Sequence, residues 1–75
     1  MIDEFTEKRF GHLRELSRDE MLYKIQELEE DIRSSELMID DRRTSGEQRT
    51  ELYNDIRYDN EVINYLKAVM NEKQM

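Results

Sequence analysis

The sequence contains no cysteine, no proline and no tryptophan, and it has only two glycines among 75 residues. The absence of cysteine excludes a disulfide framework and thiolate metal sites, and the absence of proline excludes a Pro-rich linker. The glycines, Gly11 and Gly46, are too far apart to form a Gly-rich phosphate-binding loop. No uninterrupted apolar run exceeds three residues, whereas spanning a bilayer takes about 20. What remains is a helix-prone chain with few interruptions.

Positive charge is also scarce. The chain has 12 Lys and Arg against 19 Asp and Glu, a net charge of -7. This excess of negative charge disfavours direct binding to nucleic acid, because such binding requires neutralisation of phosphates. The first ten residues, MIDEFTEKRF, carry charges where a signal peptide would have an apolar stretch. We therefore expect a cytoplasmic protein that binds neither nucleic acid nor membrane directly, folded as a single helical domain over residues 1–75.

Two start signals predict two long helices. Ser17 followed by Glu20 forms a capping box, in which each side chain accepts a hydrogen bond from the backbone of the other residue. This box predicts a helix over about 18–41. A second box, built from Thr44 and Glu47 or from Ser45 and Gln48, predicts a helix over about 46–72.

A third, shorter amphipathic stretch precedes Ser17. Asp3 is a suitable N-cap for a helix over about 3–15. Gly11 lies in the middle of this stretch, and glycine is about 1 kcal/mol less favourable than alanine inside a helix. We therefore expect this helix to be bent or to depend on tertiary contacts.

Each long helix carries an apolar seam with alternating steps of four and three residues, which is typical of a helix that packs on another helix. The seams comprise Met21, Ile25, Leu28, Ile32, Ser35 and Ile39 in one helix, and Leu52, Ile56, Asp59, Ile63, Leu66 and Met70 in the other. Similar lengths and a short connection predict an all-α antiparallel hairpin. Two polar residues interrupt the seams in adjacent layers, and we interpret Ser35 and Asp59 as a polar contact that sets the register.

The last helix has a second apolar stripe, about 110° from its seam, formed by Tyr58, Val62, Tyr65 and Val69. A two-helix hairpin leaves this stripe uncovered. Residues 1–16 could fold back over it, or another chain could cover it. Because chains of this size often depend on oligomerisation, we predict a homo-oligomer that completes a helical bundle with these four residues at the interface.

No residue pattern indicates catalysis. His12 is the only histidine, and the Glu-x-x-His motif of di-iron bundles is absent. Neighbouring acids such as Glu29 and Glu30 project about 100° apart on a helix and do not converge on one ion. We therefore predict a non-enzymatic protein without a metal site or a cofactor.

These observations favour a small acidic protein-interaction module, which acts as an inhibitor, adaptor or assembly chaperone by binding a protein partner through helix packing. A nucleic-acid mimic is the first alternative, with an acidic face of Glu27, Glu30 and Asp31 that blocks the basic cleft of a nucleic-acid enzyme. An oligomer that holds a small anionic ligand between protomers is the second.

Overall fold

The structure is a computed structural model that describes residues 2–73, and it is all-helical. Helix α1 spans Glu4–Phe10, a 3₁₀ helix spans Gly11–Glu15, α2 spans Arg18–Asp40 and α3 spans Gly46–Lys73. No strand occurs within residues 2–73. Met1 and residues 74–75 of the predicted domain lie outside the described residues.

Capping boxes begin both long helices. The amide of Glu20 donates to Ser17 Oγ at 3.2 Å, and the Ser17 amide donates to Glu20 Oε1 at 3.0 Å. Ser45 and Gln48 make the same reciprocal pair at 3.1 Å and 3.1 Å. Of the two boxes that the sequence allowed before α3, this is the one that forms. The Thr44 hydroxyl instead donates to the Met38 carbonyl at 2.5 Å, so it satisfies a backbone acceptor at the end of α2.

The N-terminal helix is shorter than predicted. Asp3 caps it as expected, accepting the Thr6 amide at 2.7 Å. The α-helix ends at Phe10, where φ is -118° and ψ is 1°, and the chain continues from Gly11 as a 3₁₀ helix. The predicted helix over 3–15 is therefore α-helical only over Glu4–Phe10. The change occurs next to the residue with the lowest helix propensity in the segment, and the Phe10 ring there enters the core.

Helices α2 and α3 pack against each other as the predicted hairpin, and the described chain measures 47 × 25 × 16 Å. The buried apolar residues lie near the start of α2 and the end of α3, together with one residue of α1. They are Phe10, Met21, Ile25, Val62, Ile63, Tyr65, Leu66 and Val69. We call this end of the hairpin the proximal half, and the end next to the α2–α3 loop the distal half.

The distal half consists of α2 and α3 alone, whereas in the proximal half the N-terminal segment forms a third layer. The N-terminal segment packs on the proximal part of α3, so it does not reach the α2–α3 loop. Four seam residues of the distal half are consequently only partly buried, namely Ile32, Ile39, Leu52 and Ile56. None of the helices in the described part of the chain combines the length and apolar character needed to cross a membrane.

Candidate interaction surface

The N-terminal segment covers most of the second apolar stripe of α3. Val62, Tyr65 and Val69 are 4%, 2% and 0% exposed. The Phe10 ring packs on Tyr65 with 5.8 Å between ring centroids. Of the two covers that the sequence allowed, residues of the chain's own N-terminal segment therefore occupy this part of the stripe.

This packing determines which residues of the stripe another molecule can contact. Val62, Tyr65 and Val69 were predicted to lie at an interface between chains, but in this structure they lie in the core of one chain. Tyr58 remains 52% exposed, and its ring makes an edge-on contact with Phe10 at 5.9 Å. A homo-oligomer is no longer needed to bury the stripe, and Tyr58 is the member that can still contact another molecule.

A polar cluster fixes the N-terminal segment to α3. Arg14 donates to both carboxylate oxygens of Glu7, at 2.5 Å and 3.0 Å, and to Glu72 at 2.9 Å. The Tyr65 hydroxyl donates to Glu7 Oε1 at 3.0 Å. The Arg14 hydrogen bond, assisted by that of Tyr65, lowers the pKa of Glu7. Sequence reasoning did not identify this cluster, because residues 7 and 65 are far apart in the chain and share no local pattern.

Asp59 is a buried carboxyl group in the hairpin seam. It is 7% exposed, and its Oδ2 atom has no hydrogen-bond partner. Burial, a side-chain hydrogen bond with Asp31 and the charges of Asp31 and Asp55 together raise the pKa of Asp59 to about 6, while the charge of Lys24 acts in the opposite direction. Asp31 thus lies close to Asp59 across the hairpin. Ser35, which the sequence suggested as the partner of Asp59, is also buried in the seam, at 8% exposed, and its contact with Asp59 stays a prediction.

A cavity of about 220 Å³ lies between the N-terminal segment, α2 and α3. Its apolar lining is Phe10, Leu13, Leu28 and Val62, and its polar lining is His12, Lys24 and Tyr58. Leu28 precedes Asp31 by one helical turn on α2, and Tyr58 directly precedes Asp59 on α3. The cavity therefore lies where the covered proximal half meets the open distal half.

We call the uncovered side of the distal half the distal groove. Its exposed residues include Asp31, Asp55 and Tyr58, whereas Asp59 is buried in the seam beneath them. The groove follows the side of the hairpin on which the N-terminal segment lies, from that segment toward the loop. Tyr58 lies twelve positions after Gly46 along α3, so the uncovered part is about 18 Å long.

The predicted acidic face belongs only in part to this groove. Glu27, Glu30 and Asp31 are all exposed. Asp31 faces Asp59, and Glu27 lies one turn before Asp31 on the same side of α2. Glu30 is about 100° around the helix from Asp31, so it presents its charge in a different direction.

A catalytic or metal centre is not apparent in the described part of the chain. Within residues 2–73, no three or more His, Cys, Asp and Glu side chains are arranged to hold a metal ion. His12 lies at the cavity with Lys24 and Tyr58, but no nucleophile with an adjacent base is formed there.

Large apolar side chains are exposed over much of the molecule. Among the residues that the structure describes, eight apolar side chains form the buried core and seven large ones are exposed: Phe5, Leu22, Tyr23, Leu37, Met38, Tyr53 and Tyr58. A single exposed leucine is ordinary, but exposed aromatic residues and methionine are the types enriched in interfaces. The exposed set therefore favours contact with other macromolecules.

Similarity to known proteins gives no information about the site. Comparisons of the chain with protein-family models, with curated proteins and with solved structures gave no match. The functional argument therefore depends on the surface of this chain alone.

Proposed function

We propose that this chain is a non-catalytic protein-interaction module, which acts as an inhibitor, adaptor or assembly chaperone by packing its helices against a protein partner. The observation that carries the proposal is the exposure of seven large apolar side chains on so small a fold. Three of the four tyrosines, Tyr23, Tyr53 and Tyr58, are among them. Tyrosine combines a large apolar ring with a polar hydroxyl, so it suits a surface that is solvated in the free chain and buried in a complex.

The incomplete third layer indicates how such packing would occur. In the proximal half, the N-terminal segment completes the burial of α2 and α3, whereas Ile32 and Ile56 of the distal half stay partly exposed. A helix from a partner that packs on the distal half would complete the burial of partly exposed apolar side chains of this kind. Burial of apolar surface contributes roughly 25 cal/mol per Å², so this completion would favour association.

A nucleic-acid mimic remains the alternative, supported by the exposed carboxylates of Glu27 and Asp31. A nucleic-acid mimic would also bind a protein, but its partner would be a nucleic-acid enzyme and the complex would be held together mainly by charge. A mimic binds a nucleic-acid enzyme mainly through charge, so its complex should dissociate steeply as salt increases. A complex based on apolar packing should depend much less on salt.

The test is quantitative capture of proteins from a lysate of the source cells by the immobilised chain. The wild type is compared with a Tyr23→Gln, Met38→Gln, Tyr53→Gln variant, which removes three apolar side chains that are more than half exposed and leaves the core residues unchanged. The matched control replaces three exposed polar residues that carry no charge: Gln26→Ala, Asn54→Ala and Asn71→Ala. Both variants are checked for a helical circular dichroism spectrum.

We expect at least one protein to be retained in stoichiometric amount by the wild type and the control, and to be lost with the triple glutamine variant. Release of that protein by salt alone, together with its identity as a nucleic-acid enzyme, would favour the mimic. Retention of no protein above the level of an unrelated acidic helical chain would contradict the proposed function.

A further inference from the structure

The N-terminal segment is held on α3 largely by contacts that stay open to solvent. Arg9 pairs with Glu61 at 3.0 Å, and Arg14 pairs with Glu72 at 2.9 Å. These four side chains are 38–47% exposed, and exposed ion pairs contribute little to stability because water and salt screen them. Among the described residues of the segment, Phe10 alone belongs to the buried core. One ring therefore supplies most of the apolar attachment.

The segment is also weak as a unit of structure. Its α-helix has seven residues, whereas α2 and α3 have 23 and 28, and an isolated helix shorter than about 12 residues is marginal in water. The 3₁₀ helix follows from Gly11, and Leu16 then joins it to the cap of α2 in an extended conformation, with φ -69° and ψ 143°. Local opening starts in elements of this kind, because it breaks few contacts and leaves the long helices intact.

The fit between the segment and α3 is incomplete. A cleft of about 340 Å³ remains between them, and its lining includes Ile2, Thr6, Phe10, Tyr65 and Ala68. Protein interiors rarely leave spaces larger than a water molecule. The contact of α1 with α3 is thus less closely packed than a permanent core.

Opening of the segment would uncover an apolar face of α3. Val62 and Tyr65 are 4% and 2% exposed. The Phe10 ring lies against Tyr65, and Val62 lines a cavity together with Phe10 and Leu13. Apolar faces of this kind, when they are exposed, mark sites of contact with other macromolecules.

The segment itself shows which chemistry this face accepts. It places the Phe10 ring on Tyr65, with 5.8 Å between the ring centroids. It also places one arginine on Glu61 and another on Glu72, which are about 16 Å apart along α3. A ligand that replaces the segment therefore needs a large apolar side chain and two cations, all of which one face of an amphipathic helix can present.

A second copy of this chain is a poor ligand for the face. Its segment would make the same contacts as the segment that it replaces, so the exchange gains nothing to offset the freedom lost on association. Each copy also carries a net charge of -7, so two copies repel each other. A helix of another protein that continues without a break at the place of Gly11 can also fill the cleft, and this additional burial favours it over the segment.

We propose that the N-terminal segment is an autoinhibitory cover, and that the face of α3 around Val62 and Tyr65 binds an amphipathic helix of a protein partner when the segment opens. The partner helix carries a large apolar side chain in the place of Phe10. It carries lysine or arginine opposite Glu61 and Glu72. The proposal rests on the proposed function, since it takes the ligand to be a protein, and it adds a second interaction face whose access the chain itself regulates.

The test uses the full chain, labelled with ¹⁵N, and two synthetic peptides. The first peptide has the sequence of residues 2–16 and so presents the side chains that the face accepts in the structure. The second is the same peptide with Phe10→Ala. Binding is followed by the displacement of backbone amide resonances, and opening of the segment is followed by hydrogen exchange.

Two variants of the chain accompany the peptides. Arg9→Ala with Arg14→Ala loosens the segment and leaves the buried core unchanged. Arg42→Ala with Arg43→Ala is the matched control, because it removes the same charge from exposed positions in the α2–α3 loop. Both variants are checked for a helical circular dichroism spectrum.

We expect the amides of α1 to exchange at least about tenfold faster than those of Ile25 and Leu66, and faster again in the loosened variant. The first peptide should displace the resonances of Val62 and Tyr65 and shift those of α1 toward unfolded positions. It should bind about tenfold more tightly to the loosened variant than to the loop variant, because the tethered segment then competes less. The Phe10→Ala peptide should bind at least about tenfold more weakly.

Four results would overturn the proposal. They are equal exchange rates in α1 and in the long helices, equal affinity of the two chain variants for the first peptide, equal binding of the two peptides, and displacement that leaves Val62 and Tyr65 unchanged. A doubling of the mass of the loosened variant on concentration, measured by light scattering, would assign the face to a second copy and also overturn it.

The failure of this proposal differs from a failure of the proposed function. The peptide titration is independent of any lysate, so a peptide that does not bind at Val62 and Tyr65 overturns the cover while capture of a protein by the wild type still stands. A wild type that captures no protein contradicts the proposed function, whatever the exchange rates of α1.

Discussion

The carboxyl group of Asp59 on α3 faces that of Asp31 on α2 across the hairpin seam, in a place where two packed helices would ordinarily bring apolar side chains together. Two carboxylates that lie close together repel each other, and the repulsion is stronger where water is excluded. The positive charge of Lys24 offsets only part of it. The distal half of the hairpin is therefore weakened at neutral pH, and protonation of Asp59 relieves the repulsion.

The first prediction concerns the pH dependence of folding. The pKa of Asp59 is raised from 3.8 to about 6, so the folded chain holds this proton more tightly than the unfolded chain. The stabilisation is complete below the unfolded pKa of 3.8 and is lost as the pH rises through about 6. Between about pH 4.5 and pH 7 the free energy of unfolding should fall by on the order of 1–2 kcal/mol after allowance for solvent screening. Urea denaturation across this range measures it.

The acid side of the profile should have the opposite slope. Hydrogen bonds lower the pKa of Asp3, Glu7, Glu20 and Asp41, so the stability that these carboxylates contribute is lost as the pH falls below their usual range. In Asp59→Asn the neutral amide should abolish the fall between about pH 4.5 and pH 7, while Asp40→Asn should retain it. A wild-type profile without this fall, or the same fall in Asp59→Asn, would contradict the assignment.

The second prediction concerns the start of α2. Ser17→Ala removes the acceptor for the Glu20 amide, and loss of an N-cap costs about 0.5–2 kcal/mol. Ser34→Ala is the matched control, because Ser34 is exposed within the same helix and alanine is the better helix former there. Thermal denaturation should show a lower melting temperature for Ser17→Ala only. Equal melting temperatures would mean that the cap does not contribute to stability.

The features of the fold that the sequence predicted are those encoded by neighbouring residues. Ser17 and Glu20 are three residues apart, so the sequence alone shows both partners of the cap. The apolar seams likewise repeat within each helix, and they predicted the packing of α2 on α3. The end of α1 at Phe10 was not predicted, because the position of the Phe10 ring in the core is set by tertiary contacts.

The contacts of the candidate site depend on distances across the fold. The sequence identified Ser35 and Asp59 as the polar residues of the seams, and both are buried, but it did not indicate that Asp31 also lies close to Asp59. Which residues of α2 lie close to Asp59 depends on the rotation of each helix about its own axis. A pattern of apolar residues does not fix that rotation closely enough to identify each neighbour. The cavity beside Tyr58 escaped prediction for the same reason, since three elements of the fold supply its walls.

The third prediction concerns the hydrogen bond between Tyr65 and Glu7. Tyr65→Phe keeps the buried ring but removes the hydroxyl that donates to Glu7 Oε1 at 3.0 Å. Loss of such a bond is expected to lower the free energy of unfolding by about 0.5–1.5 kcal/mol. Tyr53→Phe is the control, because the Tyr53 side chain is exposed and should give a change within about 0.5 kcal/mol. An equal effect of the two replacements in urea denaturation would argue against the contact between the N-terminal segment and α3.

The last prediction compares the two phenylalanines of the N-terminal segment. Phe10 is 3% exposed and packs on α3, whereas Phe5 is 72% exposed. Phe10→Ala removes a buried ring and should cost about 3–5 kcal/mol, while Phe5→Ala should change stability by less than about 0.5 kcal/mol. Urea denaturation gives both values, and light scattering on the wild type should give the monomer mass of 9.2 kDa. Equal stability of the two variants, with a wild-type mass that is a multiple of 9.2 kDa, would mean that another chain covers Val62, Tyr65 and Val69. That result would support the predicted interface at these residues, because the stripe would then be buried by a second chain and not by the Phe10 ring.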